Sequence, residues 1–490
     1  MIADQDWHAA PRLSNSYAKL PERFFERLSP RPVPAPKCVV LNEGLALDLG
    51  LDLDFLSSTA GTSMLAGNAF PISAEPIATA YAGHQFGTFV QELGDGRVTL
   101  LGDVLDSNGR RREIQLKGSG RTKYSRAGDG RAGLGPVLRE YVFCEALAAL
   151  GLPTTRALGV VTHEEPIFRE TILKGAVLAR VAATNVRIGT FEYFAARGDV
   201  EALEHLAAYV LEHLHQGRAT GYRSGLALLE AVIAKQAELA AGWMLVGFVH
   251  GAMNTDNVSV SGETIDFGPS AFMDDYRPDA VFSSIDSAGR YAYGNQPRVM
   301  LWNLARLAGA LLPLIHSTRD HAIELAQEAL ASFPFRYERA FYTGFRSKLG
   351  LIEREEGDIR LITDLLDLMA ATSADFTQTF RNLSSQVVSP SEDPGSDLEL
   401  WIARWLERLG RETADFSEIQ RRMLATNPKF IPRNHQVEAA VRAAVDRDDY
   451  DPFRSLVAVI SRPFDEQPGR EHYAHPPMTE ERIIQTFCGT

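Results

Sequence analysis

The chain has 490 residues, 45% of them hydrophobic, and a formal net charge of −13 from 50 basic and 63 acidic residues. This length exceeds what one hydrophobic core usually serves, so two large lobes or two to three domains are expected. The acidic balance excludes a general nucleic-acid binder, which needs a basic surface to displace counterions. No run approaches the roughly 18 to 20 apolar residues of a membrane span.

The start of the chain and its cysteines predict a cytoplasmic protein. Residues 1–17 include acidic side chains and no apolar core, unlike a secretory signal or a transit peptide. Cys38, Cys144 and Cys488 are far apart and have no metal-ligand spacing, which suits a reducing compartment. Neither a nucleic acid nor a membrane is expected as a partner.

Two glycine-bearing segments come first along the chain. They are residues 81–87 and the tetrapeptide Gly94-Asp-Gly-Arg97, which leads into an apolar stretch typical of a strand. Glycines beside a strand allow backbone N–H groups to approach an anion, and Arg97 adds positive charge. The tripeptide from Gly94 to Gly96 is equally typical of a β-turn, so the sequence leaves both interpretations open.

A β-hairpin is predicted around the turn Asp106-Ser-Asn-Gly109, because Asn-Gly is a strong turn signal. In its second strand, Ile114 and Leu116 alternate with polar residues. Lys117 therefore points away from the face that buries these two aliphatic side chains. It ends the strand just before a glycine-bearing loop.

A helix of about four turns is predicted between Pro136, which suits a first helical position, and Gly151, which suits a C-terminal cap. Glu140 falls within its apolar stripe, so this carboxylate is directed inward. An unpaired buried carboxylate costs several kcal/mol, which predicts a cationic partner, and Lys117 is the candidate. The alternative is that Glu140 lies at the edge of the stripe and reaches solvent.

Residues 157–183 predict two further strands, and the second ends near Arg180. Arg187 follows where the chain is expected to pass between two lobes, so both guanidinium groups could reach a cleft there. Arginine suits phosphate because of its fork geometry. Each of the two could instead be an ordinary surface salt-bridge residue.

Helices are predicted from about residue 185 onward. Apolar residues repeat at helical spacing in residues 203–214 and 226–240, and a further helix is expected over Met300 to Leu312. Residues 320–450 predict several more amphipathic helices. The expected division is a strand-rich N-terminal lobe, residues 1–183, and a mainly helical C-terminal lobe, residues 184–490, with extra C-terminal helices.

The most specific signal is residues 250–257, His-Gly-Ala-Met-Asn-Thr-Asp-Asn, followed by Asp266-Phe-Gly268. In kinase-like enzymes a loop His-Gly-Asp-x-x-x-x-Asn supplies a catalytic aspartate and a metal-binding asparagine, and a later Asp-Phe-Gly supplies a metal-binding aspartate. Residues 258–266 predict a short hairpin across which Asn257 and Asp266 face each other. Asp-Phe-Gly alone is more often a strand end, but the combined spacing predicts an α+β, bilobal, protein-kinase-like fold.

One position departs from this kinase pattern. Ala252 stands where a kinase has its catalytic aspartate, and an alanine can neither accept a proton nor orient a hydroxyl group. Asp256 is a nearby carboxylate that remains. The sequence therefore keeps the metal-binding half of a kinase site without the usual base, which argues against ordinary phosphoryl transfer.

Five motifs together resemble the selenoprotein O family of protein adenylyltransferases. The resemblance runs from about residue 10 to the C-terminus, and the motifs are Tyr81-Ala-Gly-His-Gln-Phe-Gly87, Gly94-Asp-Gly-Arg97, Gln115-Leu-Lys-Gly-Ser-Gly-Arg-Thr122, Asp129-Gly-Arg131 and His250-Gly-x-Met-Asn-Thr-Asp-Asn257. The resemblance implies a kinase-like fold that binds ATP in a flipped orientation. It also implies AMP transfer to Ser, Thr or Tyr hydroxyls of proteins, and it leaves ATP versus UTP open.

The resemblance also implies roles for individual residues. Asp256 would be the catalytic base, and Asn257 and Asp266 would hold Mg²⁺ or Mn²⁺, with Asp266 also at the nucleotide. The other residues implied to bind ATP are Gly94, Gly96, Arg97, Lys117, Asp129, Gly130, Arg180 and Arg187. With the nucleotide reversed, the position of Ala252 would no longer lie beside the reacting phosphorus.

The end of the chain departs from the family pattern. Many members finish with Cys-x-x-selenocysteine or a cysteine counterpart, whereas here Gln485 takes the first position and only Cys488 remains. A local redox pair is therefore not expected, and Cys488 is predicted to be dispensable for the chemistry.

Two functions of other classes stay open. A small-molecule or protein kinase would need the base that Ala252 does not provide. A non-catalytic, ATP-binding scaffold would tolerate the loss of Asp256, Asn257 or Asp266, and all three are present.

Overall fold

The structure is a computed structural model that describes residues 7–214, 223–387 and 396–487. Most strands lie in the first part of the described chain. They are β1 Phe25–Arg27, β2 Lys37–Leu41, β3 Ile77–Thr79, β4 Gly83–Gln85, β5 Thr88–Val90, β6 Val98–Leu105, β7 Arg111–Lys117, β8 Ala132–Gly133, β9 Arg156–Phe168, β10 Ile172–Ala182, β11 Phe248–Val249 and β12 Ala271–Phe272.

Eight of these strands form one antiparallel sheet in the order β1-β3-β6-β7-β10-β9-β2, with β8 paired to β10. The predicted hairpin is confirmed: β6 and β7 pair in a register that sets Leu105 opposite Arg111 across the Asn108-Gly109 turn. The two strands predicted over residues 157–183 are confirmed as β9 and β10, which pair with each other. Strands β4 and β5 form a separate two-stranded hairpin.

The helices dominate the rest of the described chain. They are α1 Glu43–Asp48, α2 Leu53–Ser57, α3 Thr59–Leu65, α4 Leu134–Ala149, α5 Ile188–Ala195, α6 Val200–Leu214, α7 Arg223–Val246, α8 Gln296–Ile315, α9 Arg319–Lys348, α10 Asp358–Thr372, α11 Phe376–Gln386, α12 Asp397–Leu409, α13 Phe416–Thr426, α14 Asn434–Arg447 and α15 Asp451–Ile460. The protein is thus α+β, with a sheet in its N-terminal region and a helical C-terminal region. The helices predicted near residues 136, 203, 226 and 300 are confirmed as α4, α6, α7 and α8.

Both faces of strand β7 are buried, which its alternating sequence alone does not show. Ile114 and Leu116 join a core with the apolar residues of α1, α2 and α3. The polar residues Glu113, Gln115 and Lys117 point to the other face and are buried as well. Helix α4 covers that side of the sheet and contacts β9 and β10. A row of polar side chains is therefore held in the interior, where each one needs a partner.

The largest apolar core is shared by the sheet region and the helical region. It includes Leu138 of α4 and Leu178 of β10 together with Leu229 of α7 and Leu304 of α8. This continuous core fixes the sheet against the helices, so the side chains at their junction have defined positions.

The stretch Tyr293–Ile315, which contains α8, is long and apolar enough to cross a membrane by length and composition alone. It contains no unbroken apolar run of roughly 18 to 20 residues, because Arg298 and Arg306 interrupt the sequence there. In the fold, 56% of the apolar window is buried inside the protein. Helix α8 contacts α5, α7 and α9, so its apolar residues serve the core.

Lys348, at the end of α9, is a buried lysine in an aromatic environment. Its side chain is almost fully buried, and Nζ lies 4.5 Å from the ring centre of Phe380 and 5.7 Å from that of Phe376. Within the described parts of the chain, no carboxylate lies within salt-bridge distance of it. Burial lowers the pKa of Lys348 from its ordinary value of 10.5 to about 7.

The Lys348→Met variant should be more stable than the native protein, by about 1–3 kcal/mol at and below pH 7, because it removes a buried charge without a carboxylate partner. Between about pH 7 and 10.5 the unfolded chain holds a proton on Lys348 that the folded chain does not, so native stability should rise with pH. The difference between the two proteins should therefore shrink toward pH 10. Urea unfolding at a series of pH values measures this difference in the free energy of unfolding. A Lys348→Met variant less stable than the native protein would contradict the view that Lys348 is a destabilising buried charge.

Candidate active site

Lys117 and Glu140 form the ion pair that the sequence predicts. Lys117 ends β7 and Glu140 lies on the inward face of α4, and Nζ is 2.5 Å from the carboxylate oxygen. Both side chains are at most 9% exposed. The alternative that Glu140 reaches solvent is therefore wrong.

Arg180 of β10 joins this pair to Asp266. Its guanidinium lies 3.1 Å from the Asp266 carboxylate and 3.5 Å from that of Glu140, and it donates a 2.6 Å hydrogen bond to Gln115. Strand pairing sets Arg180 directly opposite Gln115. The side chain is fully buried, so the alternative of an ordinary surface salt-bridge residue is wrong for Arg180.

Asp266 is the meeting point of three cations. Lys117 approaches it at 2.9 Å, Arg180 at 3.1 Å and Arg187 at 3.2 Å. Burial acts to raise the pKa of Asp266, but the charges of Lys117, Arg187 and Arg180 hold it well below its ordinary value. Its φ of +65° is in the left-handed region that non-glycine residues rarely adopt. The surrounding cations therefore hold an ionised carboxylate on a strained backbone.

Arg187 lies just before α5 and connects Asp266 to the loop of residues 250–257. It donates a 2.9 Å hydrogen bond to the backbone carbonyl of Asp256, and its guanidinium lies 4.5 Å from the ring centre of Tyr81. Its side chain is 4% exposed. Burial opposes its charge, but Tyr81, Asp266 and other acidic groups hold the pKa of Arg187 above its ordinary value.

Asp256 is a buried carboxylate in a different environment. Gln85 donates a long hydrogen bond of 3.4 Å to Oδ2, and Oδ1 is buried without a hydrogen-bond partner among the described residues. Burial is the largest effect on this carboxyl group and raises its pKa to about 6. Strand β4 lies so close that a Cβ on Gly83 would come 2.4 Å from Oδ1. Asp256 is therefore a confined carboxylate with one unpaired oxygen.

A second polar network holds the residues beside Asp256 in place. Thr255 donates a hydrogen bond to Glu192 of α5 and accepts one of 2.7 Å from the backbone N–H of His84. The His84 ring lies 2.6 Å from the other carboxylate oxygen of Glu192. The β4–β5 hairpin is thus fixed onto the loop that carries Asp256.

Asn257 and Ala252 are brought together by the same loop. The Asn257 side-chain amide donates a 2.9 Å hydrogen bond to the Ala252 carbonyl, which orients its own oxygen away from that contact. The hairpin predicted over residues 258–266 is reduced to one bridge, Val258 to Thr264. It is short because Ser259 pairs with Arg187 and Thr264 also pairs with Thr154.

The Gly94-Asp-Gly96 segment is a turn whose N–H groups already have partners. The backbone N–H of Gly94 donates a hydrogen bond to the Tyr81 carbonyl. The N–H of Asp95 donates one to the Thr79 carbonyl, and the N–H of Gly96 donates one to the Gly94 carbonyl. A Cβ on Gly94 would come 2.3 Å from the Tyr124 ring, so packing alone requires glycine there. The β-turn interpretation therefore applies, and in this state these N–H groups are not directed at an anion.

The remaining predicted site residues lie in neighbouring loops. The Arg97 carbonyl accepts a hydrogen bond from the N–H of Gly118, directly after Lys117, and its side chain is half-buried. The Gly130 carbonyl accepts a hydrogen bond from the backbone N–H of Gly120, which lies in the glycine-bearing loop after Lys117. Asp129 makes a bidentate salt bridge with Arg169 at 2.8 and 2.9 Å and is not in contact with the Asp266 cluster.

Sequence reasoning missed four residues that complete the site: Tyr81, Gln85, Gln115 and Glu192. Gln115 could have been found, because it lies two residues before Lys117 and so on the same face of the strand. The other three come from segments far from the residues they contact, and their short motifs carry no signal of that contact.

The end of the described chain lies beside the segment that follows Asp266. Thr486 pairs in parallel with Ser283, and its hydroxyl donates a 2.6 Å hydrogen bond to the Pro269 carbonyl. Cys488, and with it the prediction of its dispensability, lies outside the described residues.

The oxygen atoms of the site suit a hard divalent cation. Within residues 7–214, 223–387 and 396–487, no group of three or more His, Cys, Asp or Glu side chains forms a ready-made metal site. Mg²⁺, however, usually takes one or two protein ligands together with phosphate oxygens and water. The ionised Asp266 and the oriented Asn257 amide provide such ligands, so these residues fit the ion.

A lysine and two arginines gather around one carboxylate, beside a second carboxylate with an unpaired oxygen. Such a cluster of cations suits a site for a substrate that carries several negative charges. Comparison with known proteins specifies the class. The model of the SelO protein adenylyltransferase family matches residues 10–461, so the chain belongs to this family and is a nucleotidyltransferase.

Full-length relatives agree with this assignment. A protein of Bradyrhizobium sp. strain BTAi1, named protein nucleotidyltransferase YdiU, is 55% identical over 484 residues, which cover 97% of this chain and 98% of the relative. Its namesake in Rhodopseudomonas palustris strain BisB18 is 53% identical over 483 residues, with the same coverage.

Replacing Arg180 should cost more stability than replacing Lys117. Arg180→Met removes a fully buried cation and leaves Gln115 unpaired, so a loss of about 3–5 kcal/mol is expected. Lys117→Met should cost less, since Arg180 still contacts the same two carboxylates. Both variants should bind ATP more weakly than the native protein.

Urea unfolding and ATP titration measure these two effects. Arg404→Met is a matched control, because Arg404 makes an exposed ion pair with Asp364 and should cost at most about 1 kcal/mol. Equal stability losses for Arg180→Met and Arg404→Met would contradict the role given to the buried cluster.

Proposed function

We propose that this nucleotidyltransferase transfers AMP from ATP to Ser, Thr or Tyr hydroxyls of proteins and releases pyrophosphate. The observation that carries the proposal is Asp256, a buried carboxylate with one free oxygen beside the cationic cluster at Asp266, in a loop whose usual base position holds Ala252. The protein is proposed to act in the cytoplasm.

We further propose a kinase-like, two-lobed arrangement, with residues 1–183 as the N-terminal lobe and residues 184–490 as the C-terminal lobe. The lysine on a sheet strand, its glutamate partner on a helix and an aspartate after the helical segment support this view. The last strand of the large sheet ends at Ala182, and α5 begins at Ile188.

The cations around Asp266 are proposed to exchange partners when ATP binds. Lys117, Arg180 and Arg187 now share two carboxylates, and a triphosphate offers them more negative charge in the same place. The turn at Gly94 to Arg97 and the loop at Asp129 and Gly130 are proposed to complete the phosphate site. Asp129 could join the phosphate site only if its salt bridge with Arg169 rearranged when ATP binds.

Asn257 and Asp266 are proposed to hold Mg²⁺ or Mn²⁺. When bound, the ion would neutralise charge on the phosphate groups and so favour attack at the α-phosphorus. Asp266 is suited to this role because its low pKa keeps it ionised at neutral pH.

Asp256 is proposed to take the proton of the acceptor hydroxyl. Its pKa of about 6 leaves it mainly ionised at neutral pH yet basic enough to accept a proton. The acceptor oxygen then forms a bond to the α-phosphorus, and the bond from that phosphorus to the bridging oxygen breaks. The leaving pyrophosphate carries the released electron pair, and Lys117 and the arginines stabilise its charge.

ATP labelled at the α-phosphate should label protein, with a mass increment equal to AMP and release of pyrophosphate. The reason is that the cationic cluster and Asp256 together suit attack at the α-phosphorus. Parallel incubations with α- and γ-labelled ATP and Mg²⁺ or Mn²⁺ measure this. Label from the γ-position with release of ADP would identify a kinase instead, and ATP binding without any transfer would identify a non-catalytic scaffold.

Asp256→Asn should lower the rate of AMP transfer by about 10²–10⁴-fold, because the amide cannot accept the proton. ATP affinity should change little, since no cation of the cluster contacts this carboxylate. Asp266→Asn should instead lose activity together with metal-dependent ATP binding. Quench-flow rates and ATP titrations separate the two effects, and full activity of Asp256→Asn would refute its role as base.

A further inference from the structure

We propose that a positively charged, aromatic patch beside Asp256 docks acidic segments of the acceptor protein. The arginine–tryptophan patch consists of Phe86, Arg290, Arg298, Trp302 and Arg306. This inference rests on the proposed transfer to protein hydroxyls and adds the chemical character of the substrate.

Trp302 lies at the centre of the patch on α8. The guanidinium carbon of Arg290 is 4.7 Å from one ring centre of the indole, and that of Arg306 is 5.2 Å away. Arg298 and Arg306 lie one turn before and after Trp302 on the same helix and are exposed. The indole thus holds cationic side chains side by side at the surface.

The three arginines are not neutralised by acidic neighbours. In the described ranges, no carboxylate lies within 4.0 Å of the guanidinium of Arg290, Arg298 or Arg306. Elsewhere on the helical surface such pairs are common, as between Arg442 and Glu438. Nε of Arg290 is buried and has no hydrogen-bond partner in the described chain. Uncompensated arginines are unexpected in a chain with 63 acidic and 50 basic residues, and they create a local site for anions.

Phe86 adds an apolar contact at the edge of the patch. It is 36% exposed and has a φ of +50°, a conformation that a bulky residue rarely adopts. Its N–H donates a 3.0 Å hydrogen bond to Asn254, and its ring lies 5.0 Å from that of Tyr291. A strained backbone therefore keeps an aromatic ring at the surface, which points to a binding role.

The β4–β5 hairpin connects this patch to Asp256. The His84 ring meets the edge of Trp302 at 5.3 Å, and the next residue, Gln85, donates to Asp256. A polypeptide whose hydroxyl reaches Asp256 can therefore lie along the hairpin with its flanking residues over the patch. Glutamate or aspartate near the modified hydroxyl would pair with the arginines there.

A peptide suits the patch better than a nucleic acid. The net charge of −13 disfavours a long polyanion over the rest of the surface, whereas a short acidic segment needs only a local set of cations. Arginine and aromatic side chains are also enriched at protein–protein interfaces.

The test compares two peptides with a central serine, one flanked by glutamates and one by glutamines. The native full-length protein should use the glutamate peptide with about eight-fold higher kcat/KM, from three ion pairs at the patch that each contribute a factor of about two. The Arg298→Gln/Arg306→Gln double variant should lose most of this preference through KM, with unchanged ATP affinity. Arg447→Gln is the matched control, because Arg447 is exposed on α14, away from the patch.

Fluorescence anisotropy of labelled peptides tests docking independently of catalysis. Tighter binding of the glutamate peptide, weakened by salt and by the double variant, supports the proposal even if no AMP is transferred, in which case only the proposed function fails. Equal binding of both peptides, or a double variant that behaves like Arg447→Gln, overturns the proposal. Loss of ATP affinity in the double variant, or tighter binding of a single-stranded oligonucleotide at the same arginines, also overturns it.

Discussion

The candidate site depends on one carboxylate, Asp266, which lies at the junction of the sheet and the helices and is surrounded by cations. Strand β7 brings Lys117, strand β10 brings Arg180, and the segment before α5 brings Arg187. These charges would be costly to bury apart from each other, and they are stable only where all elements meet. The electrostatic requirement that gathers these side chains at the junction therefore builds the proposed phosphate site.

The two aspartates of the site illustrate how environment assigns different chemistry to one side-chain type. Asp266 is held ionised by nearby cations, which suits binding of positive charge. Asp256 lies ten residues earlier and is also buried, but its carboxylate contacts none of these cations, so burial raises its pKa to about 6, which suits proton transfer. The proposed assignment of the base to Asp256 would let such a site operate with Ala252, because the proton acceptor would then be a carboxylate in another position of the loop.

The sequence predicts the elements and the first ion pair because both follow from local periodicity. Lys117 on an alternating strand and Glu140 within an apolar helical stripe point to each other for that reason. Tyr81, Gln85 and Glu192 could not be predicted, since their contacts depend on tertiary packing. Gly94 and Gly96 show that a sequence signal can also mislead. Their pattern suggests anion binding, but their N–H groups form hydrogen bonds within a turn, and Gly94 lacks the side chain that would collide with Tyr124.

The β4–β5 hairpin contacts a loop that is far away in the chain, and this has a consequence for biosynthesis. Gln85 and Asp256 are separated by 171 residues. At ribosomal rates of about 5–20 residues per second, the hairpin exists for roughly 10–30 s before its partner loop is made. During that interval the Phe86 N–H has no Asn254 side chain to which it can donate a hydrogen bond. The pocket around Asp256 is consequently one of the later parts of the protein to close.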